Sequence, residues 1–148
     1  LAQNVIEETR VRHPGTTLVL EGADQGTDGE WDEGRMGQLL SNLLENAVLY
    51  GKPGSPVTLT LAGRADHVTF TVHNMGEPIP EHLRVSIFEP RKRGNAQAER
   101  RAPNGLGLGL YICREIMRSH KGALALRSTL EHGTTFQGTL PRHAAAVP

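Results

Sequence analysis

Cysteine, net charge and long apolar runs are what this 148-residue chain has least of. Its one cysteine, Cys113, excludes an internal disulfide and any multi-cysteine metal site. The setting of that residue, YICREIM, has the look of an apolar helix face, so Cys113 reads as a buried small side chain. Sixteen Lys and Arg residues balance sixteen Asp and Glu residues, leaving a formal charge of zero. Nothing global therefore draws the chain to nucleic acid or to an anionic membrane. Only the local run Arg91-Lys92-Arg93 asks for its own explanation. No apolar run reaches the roughly 18 residues of a membrane-spanning helix. The opening LAQNVIEETR is no signal peptide, and without an initiator methionine the chain is expected to be a piece of a longer protein. No internal repeat is visible. The length fits one domain, and 37% hydrophobic residues support a core without making it a rich one.

What is present centres on Leu39 to Gly51, LLSNLLENAVLYG. Leu39, Leu40, Leu43, Leu44, Ala47 and Val48 recur at helical spacing and predict a buried stripe. Asn42, Asn46 and Tyr50 stand four apart and stack along another face. Such a row is either an ordinary polar helix surface or a binding face. A side-chain amide oxygen coordinates Mg²⁺ without adding charge, so phosphates would remain to neutralise the metal. Tyr50, one turn on, would lie against a flat base or simply pack the helix end.

Around this helix the chain divides as follows. Residues 1–10 read as the end of a preceding helix or linker, broken at His13-Pro14-Gly15. Thr17 to Leu20 is a short strand, and Gly22 to Glu30 a polar connection. Asp32 is the expected N-cap of the central helix, and Gly51-Lys52-Pro53-Gly54 ends it. Val57 to Leu61 and Val68 to Val72 are strands joined by a hairpin loop at Arg64-Ala65-Asp66. A short helix is expected around His82 to Ile87. Glu89 to Pro103 is polar, without periodicity, and reads as a long loop. A helix follows over Leu110 to His120, then strands at Ala123 to Arg127 and Thr135 to Leu140. The resulting fold class is α+β: a two-layer sandwich, one mixed or mostly antiparallel sheet with helices on a single face. The main domain spans 11–141, and residues 142–148 are expected to form a flexible tail.

The glycine run Asn104-Gly105-Leu106-Gly107-Leu108-Gly109 precedes a helix. Alternating glycines leave backbone N–H groups uncovered, and a helix N-terminus adds partial positive charge, so phosphate is the natural guest. A flexible hinge with tight helix packing is the competing reading. The run is not a P-loop, since no Lys-Ser/Thr follows, and no strand precedes it as a dinucleotide fold requires.

Taken in order, these stretches resemble the catalytic, ATP-binding domain of bacterial sensor histidine kinases, in the superfamily shared with gyrase B, Hsp90 and MutL. The resemblance is carried by Asn42-Leu43-Leu44-Glu45-Asn46-Ala47, by Asn74-Met75-Gly76-Glu77-Pro78-Ile79-Pro80, by Ile87-Phe88-Glu89-Pro90, by Gly105-Leu106-Gly107-Leu108-Gly109-Leu110, and by Gly133-Thr134-Thr135-Phe136 before Leu140-Pro141. It covers nearly the whole chain from about residue 5. The wording HNMGEPIP most resembles kinases attached to bacterial phytochromes. The resemblance implies ATP and Mg²⁺ as cofactors. Asn46 would hold Mg²⁺, with Asn42 supporting the same region. Tyr50 would pack beside the adenine, and Gly76 would let the backbone approach it in the box that includes Ile79. Thr134 would sit below the base with Asn74. Gly105, Leu106, Gly107, Leu108, Gly109 and Leu110 would line the phosphates. Residues 94–104 would form a lid, and Arg93 would reach the phosphates. No catalytic residue is assigned, because the phosphoacceptor histidine belongs to a preceding dimerisation domain. His13, His67, His73, His82, His120, His132 and His143 are scattered, without an HExxH pattern. His73 is expected to point away from the core, and His120 to cap a helix.

Three departures from the family pattern stand out. Asn74 replaces an aspartate that accepts the adenine amino hydrogen bond, a loss of roughly 1 kcal/mol. Leu49 replaces a phosphate-contacting lysine. Arg91 replaces a second aromatic that would anchor the lid. The main expectation is an ATP-binding module that presents Mg-ATP to a histidine on a separate dimerisation domain, from which a response-regulator receiver takes the phosphoryl group. The full protein is expected to be a cytoplasmic homodimer. The fragment is expected to be monomeric, with no nucleic-acid partner, no membrane insertion and no kinase activity alone. One alternative is a regulatory module with a weak nucleotide site, in a sensor acting mainly as response-regulator phosphatase. The other is an ATPase or anti-sigma-type serine kinase. Against the ATPase, the resemblance places a water-activating glutamate at position 42, where this chain has an amide that cannot take a proton.

Overall fold

A computed structural model describes residues 1–23, 26–90 and 108–143. Helices α1 (Ala2–Arg12), α2 (Glu33–Tyr50) and α3 (Gly109–Ser119) lie against strands β1 (Leu18–Glu21), β2 (Val57–Gly63), β3 (His67–Asn74), β4 (Ala123–Thr129) and β5 (Gly133–Pro141). The sheet runs β1-β2-β3-β5-β4. Strands β1 and β2 are parallel, and the other neighbours are antiparallel. The sheet is thus mixed, as the α+β sandwich reading expects.

Alternation assigns the two faces of the sheet. Val68, Phe70, Val72 and Asn74 are buried on β3, while Thr69, Thr71 and His73 point the other way. His73 thus turns from the core and meets the His132 carbonyl at 2.8 Å through Nε2. Phe136 and Leu140 of β5 join the inward set. Against this face lie Leu39, Leu43, Leu44 and Ala47 of α2, with Cys113, Ile116 and Met117 of α3. Each fully buried leucine contributes about 2 kcal/mol relative to exposure. Cys113 is completely buried, and burial pushes its thiol up to about 12.

Helix α2 starts where the sequence places it: Asp32 Oδ1 accepts from the Arg35 N–H at 2.9 Å. At the far end of α3, His120 Nδ1 meets the Ile116 carbonyl at 2.8 Å, the capping role expected of it.

Three features add to or amend the expected layout. Helix α1 occupies the expected lead-in at residues 1–10 and continues beyond it. It runs to Arg12, and Val5 and Ile6 are buried in the same core as α2. Its end is bound to α2, since Arg12 Nε and His13 Nε2 each lie 2.6 Å from a Glu45 carboxylate oxygen. Burial alone would raise the Glu45 pKa, but the hydrogen bonds from His13 and Arg12 outweigh it and hold the carboxyl below its usual value. The second feature concerns the start of the tail. Arg142 is no free end, because its guanidinium donates to the backbone carbonyls of Arg64, Asp28 and Gly26 at 2.7–2.8 Å. Residues 144–148 lie outside the described residues. Third, the short helix around His82 to Ile87 is instead a pair of 3₁₀ turns, Glu81–Leu83 and Ser86–Phe88. Neither turn buries a residue fully, so no apolar stripe sustains a longer helix. Among the described residues no helix is long and apolar enough to cross a membrane.

Candidate functional site

The row read from α2 is present, with Asn42 and Asn46 half-buried and Tyr50 exposed at the last turn. From Asn42 to Tyr50 the helix rises about 12 Å. Asn42 Nδ2 donates to the Gly109 carbonyl at 3.4 Å, which sets the start of α3 beside this row. That start has no side-chain cap on Leu108, so its first N–H groups are left without that partner. Leu108 is exposed, Gly109 opens the helix, and Leu110 packs against the core. No hydrogen bond among the described residues uses the Asn46 amide. Also among them, no group of three or more His, Cys, Asp or Glu residues could hold a metal ion.

The other end of the row meets the sheet. Lys52 N–H donates to the Met75 carbonyl at 2.6 Å, fastening the turn after α2 to the loop after β3. Gly76 follows with φ +154, and a Cβ there would stand 2.7 Å from the Tyr50 carbonyl oxygen. The close approach that demands this glycine is therefore to the end of α2 itself. Asn74 is 4% exposed and stands in register with Thr134, also 4% exposed. Gly133, at φ +78, passes so close to β3 that a Cβ would lie 2.3 Å from the Asn74 carbonyl oxygen. The Asn74 amide is oriented by its own backbone. Its Nδ2 donates to the Met75 carbonyl at 3.1 Å, which leaves Oδ1 as the acceptor atom of the amide.

Two residues that sequence reasoning passes over hold this end together. Ser128 Oγ accepts from the Ile79 N–H at 2.8 Å and lies 2.7 Å from Thr134 Oγ1. Arg84 donates to the Ser128 carbonyl at 2.6 Å and to the Ile79 carbonyl at 3.2 Å. Ile79 is thus a bound member of the loop after β3. Phe88 packs edge-on against Phe136, with centroids 6.0 Å apart. Leu49 is exposed and offers no cation beside the row. The lid at 94–104, Arg91, Arg93, Gly105, Leu106 and Gly107 lie outside the described residues.

Known proteins are similar to this chain in sequence and fold. A bacteriophytochrome of Pseudomonas aeruginosa is 39% identical over 125 residues, 84% of this chain and 17% of that protein. Sensor protein SrrB of Staphylococcus aureus is 37% identical over 113 residues, 76% of this chain and 19% of that protein. The chain therefore spans under a fifth of the length of either relative. The nucleotide-free catalytic domain of histidine kinase ThkA superposes with a TM-score of 0.79 at 29% identity, covering 97% of this chain and 91% of that one. Full-length ShkA, solved with AMPPNP, superposes with a TM-score of 0.73 at 26% identity, covering 99% of this chain and 30% of that one. Residues 31–144 match the family described as histidine kinase-, DNA gyrase B- and HSP90-like ATPase, an assignment that implies ATP binding, and the chain belongs to that family.

Proposed function

We propose that this chain is the nucleotide-binding catalytic module of a two-component sensor histidine kinase. In this reading it presents Mg-ATP to a histidine on a separate dimerisation domain, and a response-regulator receiver is the next acceptor. The observation that carries the reading is the meeting of one helix row with two ends of a site. Asn42 ties the row to the uncapped start of α3, and the turn after Tyr50 is fastened to the loop beside Asn74 and Gly76. The base would lie at Asn74, Thr134 and Tyr50. The phosphates would lie at the N–H groups of Leu108, Gly109 and Leu110, where the helix start favours anions. Asn46 would hold Mg²⁺, which supplies charge neutralisation around an in-line transfer. The full protein would be a cytoplasmic homodimer, and this piece alone a monomer that phosphorylates nothing. The phytochrome-type relative extends the reading to a light-sensing parent.

Asn42 opposes the ATPase alternative, since its amide donates to Gly109 and is no base for water. The regulatory, phosphatase-leaning alternative is favoured by the exposed Leu49, where a phosphate-binding cation would strengthen the site. Isothermal titration with ADP and a non-hydrolysable ATP analogue, with and without Mg²⁺, separates these readings. Micromolar binding, tighter with Mg²⁺ for the triphosphate, is the expected result. No heat up to millimolar nucleotide would sink the kinase reading and leave the regulatory one.

A further inference from the structure

Helix α2 ends beside a second cleft, of about 380 Å³, which the nucleotide reading does not use. Thr16 and Thr17 line it from the turn between α1 and β1, and Val48 and Leu49 from the last turn of α2. Lys52, Pro53 and Ser55 line it from the turn that follows. No carboxylate lines the cleft, and Lys52 is its one cation. Among the described residues no hydrogen bond or ion pair uses the Lys52 ammonium or the hydroxyls of Thr16, Thr17 and Ser55. The end of α2 offers the opposite polarity. The Val48 and Leu49 carbonyls would ordinarily bond the N–H groups four positions on. The Lys52 N–H goes instead to the Met75 carbonyl at 2.6 Å, and Pro53 has no N–H. No basic side chain stands in that last turn, so the partial negative charge of the helix end is left without a local cation on α2. Free donors, open carbonyls and aliphatic side chains in one cleft match a small zwitterion with an aliphatic body.

We infer that this cleft binds a free aliphatic α-amino acid and that its occupation is felt at the nucleotide site. Lys52 and the neighbouring hydroxyls take the carboxylate, since a charged donor makes the stronger bond. The Val48 and Leu49 carbonyls take the ammonium, and the side chains of Leu49 and Val57 face the aliphatic body. The coupling runs through the turn after α2. Its Lys52 both lines the cleft and, by its N–H, fastens the Met75 carbonyl between Asn74 and Gly76. This second part rests on the nucleotide reading above. Linkage requires that amino acid and nucleotide change each other's affinity by the same factor.

Amide NMR of the chain without nucleotide, titrated with L-leucine, isocaproate and isoamylamine, tests the site. Leucine is expected to shift the Thr16, Thr17, Lys52 and Ser55 amide signals saturably, with a Kd on the order of 1 mM. Isocaproate lacks the ammonium and isoamylamine the carboxylate, and each should bind about tenfold more weakly. Lys52→Gln keeps the backbone N–H at an exposed position and should weaken leucine about tenfold. Isocaproate or isoamylamine binding as tightly as leucine overturns the zwitterion assignment. No shift in the wild type up to tens of millimolar leucine overturns the site, and that arm needs no variant to fold. ADP titrated with and without saturating leucine reads the coupling, expected as a change of about threefold in Kd. An unchanged ADP constant overturns the coupling. A chain that binds leucine but no ADP sinks the proposed function and leaves the amino-acid site standing.

Discussion

At the sheet end of the candidate site, Asn74, Thr134 and Ser128 are buried and held by short hydrogen bonds. Along α2, Asn42 and Asn46 are half-buried; Asn42 bonds the Gly109 carbonyl at 3.4 Å and the Cys113 side chain, while no hydrogen bond among the described residues uses the Asn46 amide. The sheet end is therefore ordered before any ligand arrives, and a base docking there gives up little conformational freedom. The helix end leaves amides open, so it gains order from whatever binds. In the proposed reading the first region would take the base, and the second the metal and phosphates.

Substitutions should expose that division. The largest effect is expected from Gly133→Ala, whose Cβ would meet the Asn74 carbonyl at 2.3 Å with the backbone at φ +78. We expect a loss of about 3 kcal/mol in urea denaturation, with nucleotide binding lost alongside. Asn46→Ala tests the other region. Thermal stability should stay within about 0.5 kcal/mol of wild type, while Mg²⁺-dependent affinity for a triphosphate analogue falls about tenfold or more. A matching fall in melting temperature would erase the contrast between the two ends. Asn74→Asp sharpens it. The carboxylate would put an oxygen where an N–H now donates to the Met75 carbonyl at 3.1 Å. Charge gained toward an amino group is offset by that repulsion, so ADP affinity should improve by less than about tenfold while stability drops by about 1 kcal/mol.

The smallest effect lies away from both ends, at Glu45. Its carboxyl is held below the ordinary value of 4.5 by His13 and Arg12 against the pull of burial. A lowered folded-state value contributes stability that is present above pH 4.5 and lost as pH falls through the folded value. Glu45→Gln should cost about 0.5–1 kcal/mol at neutral pH, and the difference from wild type should vanish in acid. Denaturation midpoints at pH 7 and pH 3 provide the check.

Local patterns were readable because they lie within one element. The Asn42–Asn46–Tyr50 row follows from helical spacing, the inward set of β3 from alternation, and Asp32 as a cap from its place before the helix. What stayed hidden depends on residues brought together by the fold. Ser128 reaches Ile79 across 49 positions, and Arg142 reaches Gly26 across 116. A serine within a strand and an arginine after one have no periodicity that marks them. The burial of α1 in the core stayed hidden for a related reason. Val5 and Ile6 make too short an apolar signal to show which neighbour buries them. Gly76 was readable as a required glycine, but its neighbour, the Tyr50 carbonyl, was not.

The parallel pairing of β1 with β2 has a kinetic consequence. Leu18 meets Val57 only after the chain has crossed over through α2, and Asn74 must find Thr134 still further along. Contacts between residues so distant in sequence form slowly, because loop closure precedes their reward. Helix α2 is the crossover, so its asparagine row takes its place only when the sheet around it has closed. In a refolding experiment, nucleotide binding should return with the slow phase that completes the sheet, after helical signal has already recovered.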